Sequence, residues 1–353
     1  MGAVVDAVMG AVERKTDDVQ DRYPIAIFLA DVHYRMTSPE YRVEKDGFNR
    51  VIDAKLREVF AYIKEARRRV GADCADMPIP MFVAGDLFDK AREFTCYWSL
   101  ADSLSEFGVH ASSIYVVRGQ HDMFHHNPNE QATSLNALAM HMTSPVDVIG
   151  AKGQMIRLDG GWCVFGCGWG ESLDDVARLV DELGADGRNI LVTHRTLWHK
   201  TPVYPGMTEG NVAVEASVFK KIGFSYVFSG DNHKAFDVEV EGVKIFNVGA
   251  FTRMSVDIAT QQPRFCVLFN DGSVESVYVG KEGVFDLELS DADKGRKKER
   301  DEFSESLASG FVHQVTFREK LVEVASTGVC GDMELNGVQC SLLRDVINEI
   351  GGV

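Results

Sequence analysis

Five short apolar runs, each breaking off into aspartate or histidine, constrain this chain more than any other feature of its sequence. PIAIFLA (24–30) runs into Asp31-Val32-His33, and IPMFVA (79–84) into Gly85-Asp86-Leu87-Phe88-Asp89. SSIYVV (112–117) leads through Arg118 to Gly119-Gln120-His121-Asp122. NILV (189–192) is followed by Thr193-His194, and FSYVFS (224–229) by Gly230-Asp231-Asn232-His233. Each run has strand length and is continuous rather than alternating, the pattern of a strand covered on both faces. Between them, Val51, Ile52, Leu56, Val59, Phe60 and Ile63 recur at helical spacing across 48–70. Further helices are expected near 94–107, 131–142, 171–184 and 213–222. Strands alternating with helices predict an α/β fold. Loops beyond the carboxyl ends of such strands converge, so five polar motifs at five strand ends predict one site.

The residue types fit two divalent ions. A pair of cations about 3.5–4 Å apart needs a shared carboxylate with imidazole and oxygen donors on either side. Aspartate and histidine without thiolate suit Mn²⁺, Fe²⁺ or Zn²⁺, and the oxygen content leans toward Mn²⁺. The glycines before Asp86, Gln120 and Asp231 are expected to let the backbone turn sharply as it leaves a strand.

Composition bounds the rest. The 353 residues suit one large α/β domain with an appendage. A formal charge of −16 provides no overall basic footprint for nucleic acid. The seven cysteines are an odd, scattered set, expected to be buried small hydrophobes of a reducing compartment. The opening MGAVVDAVMGAV is interrupted by Asp6 and lacks a basic region before it, so no signal peptide or membrane span is expected and the reading is cytoplasmic. Residues 1–22 are read as a lead that could be disordered, and 23–285 as the main domain. After 232 the texture turns to β, with a hairpin at Asp271-Gly272. Residues 286–353 begin in a mixed charge run and continue into two amphipathic segments. The second carries Val338, Leu342, Val346 and Ile350 in one stripe, which could bind a partner or pack back on the main domain.

The ordered motifs resemble the calcineurin-like metallophosphoesterase superfamily, whose pattern is DxH, GDxxD, GNH[DE], a lone H and GHxH. Within it, GDLFD (85–89), NVGAFTRMS (247–255) and PRFCVLF (263–269) are most similar to SbcD-type DNA repair nucleases and their bacteriophage recombination relatives. The resemblance implies a four-layer α/β/β/α sandwich with a small, mainly helical C-terminal appendage. It implies that Asp31, His33 and His233 hold one metal, that Asp86 bridges, and that Gln120, His194 and Asp231 complete the second. His121 would stand near the scissile phosphate and assist the leaving group, oriented by Asp122, while Asp89 would fix a ligand imidazole. The implied reaction is phosphodiester hydrolysis by a hydroxide held between two ions. DNA would be the substrate and an SMC-type (SbcC-like) ATPase the partner through the C-terminal helices, with a homodimer common among such nucleases. His125, His126 and Arg253 are further candidates for touching substrate.

Two departures fall on the second metal: the family's asparagine is Gln120 here, and its first GHxH histidine is Asp231. A longer amide and a shorter carboxylate could compensate geometrically, giving a more oxygen-rich site that favours Mn²⁺ or Mg²⁺ over softer ions, or leave that half degenerate. Two other functions stay open: a phosphatase or phosphodiesterase on nucleotides, small esters or proteins, and a non-catalytic architectural subunit.

Overall fold

In a computed structural model, the described residues are 22–44, 47–70, 79–106, 114–140, 146–184, 187–280, 284–286, 289–291, 298, 317–330, 333–334, 337 and 339–343. The chain divides into two compact units, Met1–Phe285 and Asp286–Val353. The lead 1–21 and most of the charge run at 291–306 lie outside the described residues.

The first unit is an α/β fold built on two six-stranded mixed sheets. In chain order the strands that matter here are β1 (Pro24–Leu29), β2 (Arg42–Val43), β3 (Met81–Val83), β4 (Ile114–Val117), β5 (Val146–Ile149), β6 (Ile156–Arg157), β7 (Cys163–Cys167), β8 (Asn189–Thr193), β9 (Phe224–Ser229), β10 (Phe236–Val240), β11 (Val243–Asn247), β12 (Arg264–Phe269) and β13 (Val274–Tyr278). One sheet runs β13-β12-β1-β3-β4-β5 and the other β10-β11-β9-β8-β7-β6. The β1-β3-β4-β5 and β7-β8-β9-β11 stretches are parallel, while β12, β13, β10 and β6 pair antiparallel at the margins.

Side-chain alternation along β1 shows why its apolar run is unbroken. Ile27 and Leu29 point outward, into a core shared with Ile52, Leu56 and Val59 of the helix Phe48–Val70. Ala26, Phe28 and Ala30 point the other way, onto Val164, Ile190, Val192 and Phe228 of the second sheet. There the Phe28 and Phe228 rings stack with centroids 3.6 Å apart. The far face of the second sheet is covered in turn by helices Leu173–Leu183 and Val212–Ile222, through Val176, Val180, Ala216 and Phe219. The layers are therefore α/β/β/α, as the resemblance implies.

Helix Phe48–Val70 matches its periodicity; the segment expected at 131–142 shortens to Ser134–Ala139, capped by the Thr133 side chain. The Asp271-Gly272 turn joins β12 to β13, with Gly272 at φ 81°. WCVFGCGWG contributes β7, parallel to β8, with Cys163 and Cys167 buried and free. In the second unit, the helix Phe317–Thr327 precedes a two-stranded pair, Val329–Cys330 with Met333–Glu334, and residues 339–343 are helical. Of the expected stripe, Leu342 is exposed, while Val338, Val346 and Ile350 lie outside the described residues. Among the described residues, no helix is long and apolar enough to cross a membrane.

Candidate metal centre

The carboxyl ends of β1, β3, β4, β8 and β9 meet where the two sheets face each other. Their loops are laced together by main-chain hydrogen bonds: Asp31 N to Gly85 O (3.2 Å), His33 N to Asp86 O (2.9 Å) and Gly230 N to Thr193 O (3.1 Å). The lacing holds an unusual backbone. Asp31 (φ 49°), His33 (46°), Asp86 (50°) and Asp231 (70°) all occupy the left-handed region. Aspartate and histidine enter it more readily than most residues, yet each still costs about 1 kcal/mol or more. Four such residues gathered at the ends of three strands, β1, β3 and β9, are a preorganised site rather than scattered turns.

The motif glycines make room. Only Gly85 has the expected left-handed turn, at φ 86°. Gly119 and Gly230 are required for closeness instead: a Cβ at Gly119 would run into the Asp86 carboxylate and amide, and one at Gly230 into the Ala84 carbonyl.

The donor atoms converge. Asp31, His33 and His233 form one cluster, His33, Asp86 and His121 a second, and Asp31, Asp86 and His194 a third, each with its atoms within 4.8 Å of one another. Asp86 Oδ1 accepts the His121 amide N–H at 2.9 Å. This leaves Oδ2 between two imidazoles, 3.7 Å from His33 Nε2 and 3.4 Å from His194 Nε2. His33 Nε2 and His233 Nε2 lie 3.2 Å apart. Two nitrogens each about 2.1 Å from one ion at octahedral or tetrahedral angles would be about 3.0–3.4 Å apart. His194 Nδ1 donates to Ala84 O at 2.6 Å, which in the neutral ring turns the lone pair of Nε2, buried without a hydrogen-bond partner, toward the cluster as a metal donor. Gln120 Oε1 is buried without a partner as well. The carboxylates of Asp31 and Asp86 are buried and, among the described residues, face imidazoles rather than lysine or arginine. These residues fit a dimetal site.

Electrostatics agree with that fit. Burial pushes the Asp31 carboxyl up. Asp86 is held below the usual range: burial opposes ionisation, but the facing His194 outweighs it. His194 is pushed up to about 10, because Asp86 overrides the effect of burial. Burial lowers His233. Without a cation, protons on imidazole take the place of metal charge.

The neighbouring expectations divide. Asp89 faces His33 Nδ1 at 3.6 Å and accepts from Arg35 at 3.2 Å. The Asp89 carbonyl also takes His121 Nδ1, at 2.9 Å. Asp122, expected to orient His121, has its oxygens on main-chain N–H groups instead: Phe88 and Gly119 at 3.0 Å and Leu87 at 3.4 Å. It fastens the β3 loop to the β4 loop. Arg253 is 3% exposed, and its guanidinium donates to Ala259 O beside the Phe285 ring, so it is a structural brace rather than a substrate contact. His121, His125 and His126 are exposed on the loop after β4, with the His126 ring 4.9 Å from that of Trp169. Thr196, which no motif marks, donates its hydroxyl to Asp231 Oδ2.

No protein-family profile and no curated protein matches this chain. Among solved structures it is similar to a putative 5'-nucleotidase from Staphylococcus aureus (11% identity, TM-score 0.46, 75% of this chain and 54% of that one). It is also similar to a novel archaeal phosphodiesterase (12%, 0.37, 72% and 99%) and to the phosphopantetheinyl hydrolase of Mycobacterium tuberculosis (13%, 0.40, 72% and 96%). The chain thus spans about half the length of the nucleotidase.

Proposed function

We propose that this chain is a two-metal phosphoesterase that hydrolyses phosphodiesters, with DNA as substrate. The observation that carries the reading is Asp86 Oδ2 set between His33 Nε2 and His194 Nε2, a bridging position with a donor set on each side. Asp31, His33, His233 and Asp86 would hold one ion, and Asp86, Gln120, His194 and Asp231 the other. The oxygen-rich set favours Mn²⁺. Two such ions supply Lewis acidity to the phosphate and lower the pKa of water.

The chain's own groups do the rest. The Asp89 carbonyl accepts from His121 Nδ1 and fixes the exposed ring, so that the imidazolium form would give its Nε2 proton to the leaving oxygen and return to the neutral Nδ1–H ring. His125 and His126, exposed on the same loop, would meet the substrate backbone. DNA is chosen over other diesters because GDLFD, NVGAFTRMS and PRFCVLF resemble SbcD-type nucleases. With a formal charge of −16, much of the DNA affinity would have to come from a partner, for which an SMC-type ATPase engaging 286–353 is our candidate, and a homodimer would double the sites.

The test compares linear DNA, bis-p-nitrophenyl phosphate and p-nitrophenyl phosphate with Mn²⁺, with and without the ATPase. Cleavage of DNA and the diester is expected. Monoester-only activity would overturn the nuclease reading, and silence on every substrate would favour an architectural subunit.

A further inference from the structure

We infer that Thr196 is a positioning residue for the second metal: with the Gln120 amide, its hydroxyl locks the Asp231 carboxylate into its ligating orientation. The inference rests on the dinuclear reading above and concerns the half of the centre built from unusual residues.

Asp231 is held at three points. Its left-handed backbone is tied by its own N–H, which lies 3.1 Å from both oxygens of Asp31. Oδ1 accepts Gln120 Nε2 at 2.7 Å and lies 3.7 Å from His194 Nε2. Oδ2 accepts the Thr196 hydroxyl. A carboxylate only accepts, so the glutamine must present its nitrogen to Asp231. Its oxygen is thereby turned away, and that oxygen is the buried acceptor without a protein partner. One hydrogen-bond chain, Thr196–Asp231–Gln120, thus sets the direction of two of the four donors expected at the second ion. The compensation between a longer amide and a shorter carboxylate then has a concrete form: they clasp each other, and Thr196 fixes the clasp.

Thr196 is itself anchored. Asn232 Nδ2 donates to Leu197 O at 2.9 Å, and Asn247 Nδ2 to Asn232 O at 2.6 Å, with Ser229 bonded to Asn247 in turn. This buried ladder ties the loop after β8 to the loop after β9. Gly210 leaves space for the Thr196 carbonyl, which a Cβ there would strike. The hydroxyl is therefore delivered by a framed loop. Without it, Oδ2 loses its donor and the carboxylate gains rotational freedom at the moment it must bind.

The test is Thr196→Val, which removes the hydroxyl and keeps the shape, beside Thr196→Ser, which keeps the hydroxyl. Stepwise Mn²⁺ titration by calorimetry should show the second ion bound about tenfold or more weakly in Thr196→Val, the scale typical of lost outer-sphere partners. The first ion should be unchanged, and Thr196→Ser should bind the second as the unaltered protein does. Low-temperature EPR at two equivalents of Mn²⁺ should show the exchange-coupled pair signal replaced by a mononuclear one in the valine variant. Two ions bound by Thr196→Val as by the unaltered protein would overturn the inference while leaving the dinuclear centre standing, as would a serine variant that behaves like valine. An unaltered protein that binds no Mn²⁺ would remove the dinuclear reading itself.

Discussion

Asp122 separates two accounts of the centre. If the carboxylate serves to orient His121, its removal should slow turnover and leave folding alone. In the structure it is 1% exposed and accepts main-chain N–H groups at 3.0, 3.0 and 3.4 Å. Asp122→Ala leaves two well-bonded buried donors without an acceptor, at about 1–3 kcal/mol each, or about 4 kcal/mol together. Asp122→Asn keeps one acceptor oxygen and should lose roughly half as much.

The pH dependence carries a second signature. Burial, reinforced by the charge of Asp86, pushes the Asp122 carboxyl up from 3.8 to about 6. An acid whose folded pKa is raised adds stability below its unfolded pKa and loses it as pH rises through the folded value. Between pH 5 and 7.5 the unaltered, metal-free protein should therefore lose about 1.4 kcal/mol relative to Asp122→Asn. Urea unfolding in EDTA at the two pH values reads both effects. An Asp122→Ala protein with normal unfolding and lost turnover would refute the anchoring role.

Three further outcomes follow from the same geometry. His121→Ala should lower kcat by about 10²–10⁴ with metal stoichiometry unchanged, as read by steady-state kinetics and metal analysis; near-normal rates would end its role as the proton donor. Because His194 is pushed up to about 10, chiefly by Asp86 working against burial, it is protonated at neutral pH without metal, and an ion must displace that proton. Mn²⁺ affinity should rise with pH by about tenfold per unit, with at least one proton released at pH 7 when calorimetry is run in buffers of different ionisation enthalpy. Gly119→Ala drives a methyl into the Asp86 carboxylate and amide; it should cost about 1–3 kcal/mol and strip bound metal, measured by thermal melting and metal analysis.

The strand-end motifs were legible because parallel strands covered on both faces read as unbroken apolar runs, and each stops where a polar ligand must begin. WCVFGCGWG marks β7 poorly: three glycines and two cysteines in nine residues dilute its apolar pattern, and its pairing to β8 is a long-range fact. The roles of Asp122 and Arg253 were beyond the sequence for another reason. A motif names a carboxylate or guanidinium without saying where its oxygens or N–H groups go; here the Asp122 oxygens accept main-chain N–H groups and Arg253 donates to the Ala259 carbonyl. The motif pattern suggests turn formers at Gly119 and Gly230, yet they serve close packing, which only the neighbouring loop reveals. Thr196 left no signal beyond standing two residues after His194.

Five strand ends that build one two-ion centre around Asp86 must place two ions on either side of its carboxylate. Crystals grown with Mn²⁺ and measured for anomalous scattering test it directly. Two peaks about 3.5–4 Å apart are expected, one flanked by His33 and His233, the other by His194 and Asp231, with Asp86 between them. A single peak, or none near Asp86, would contradict it.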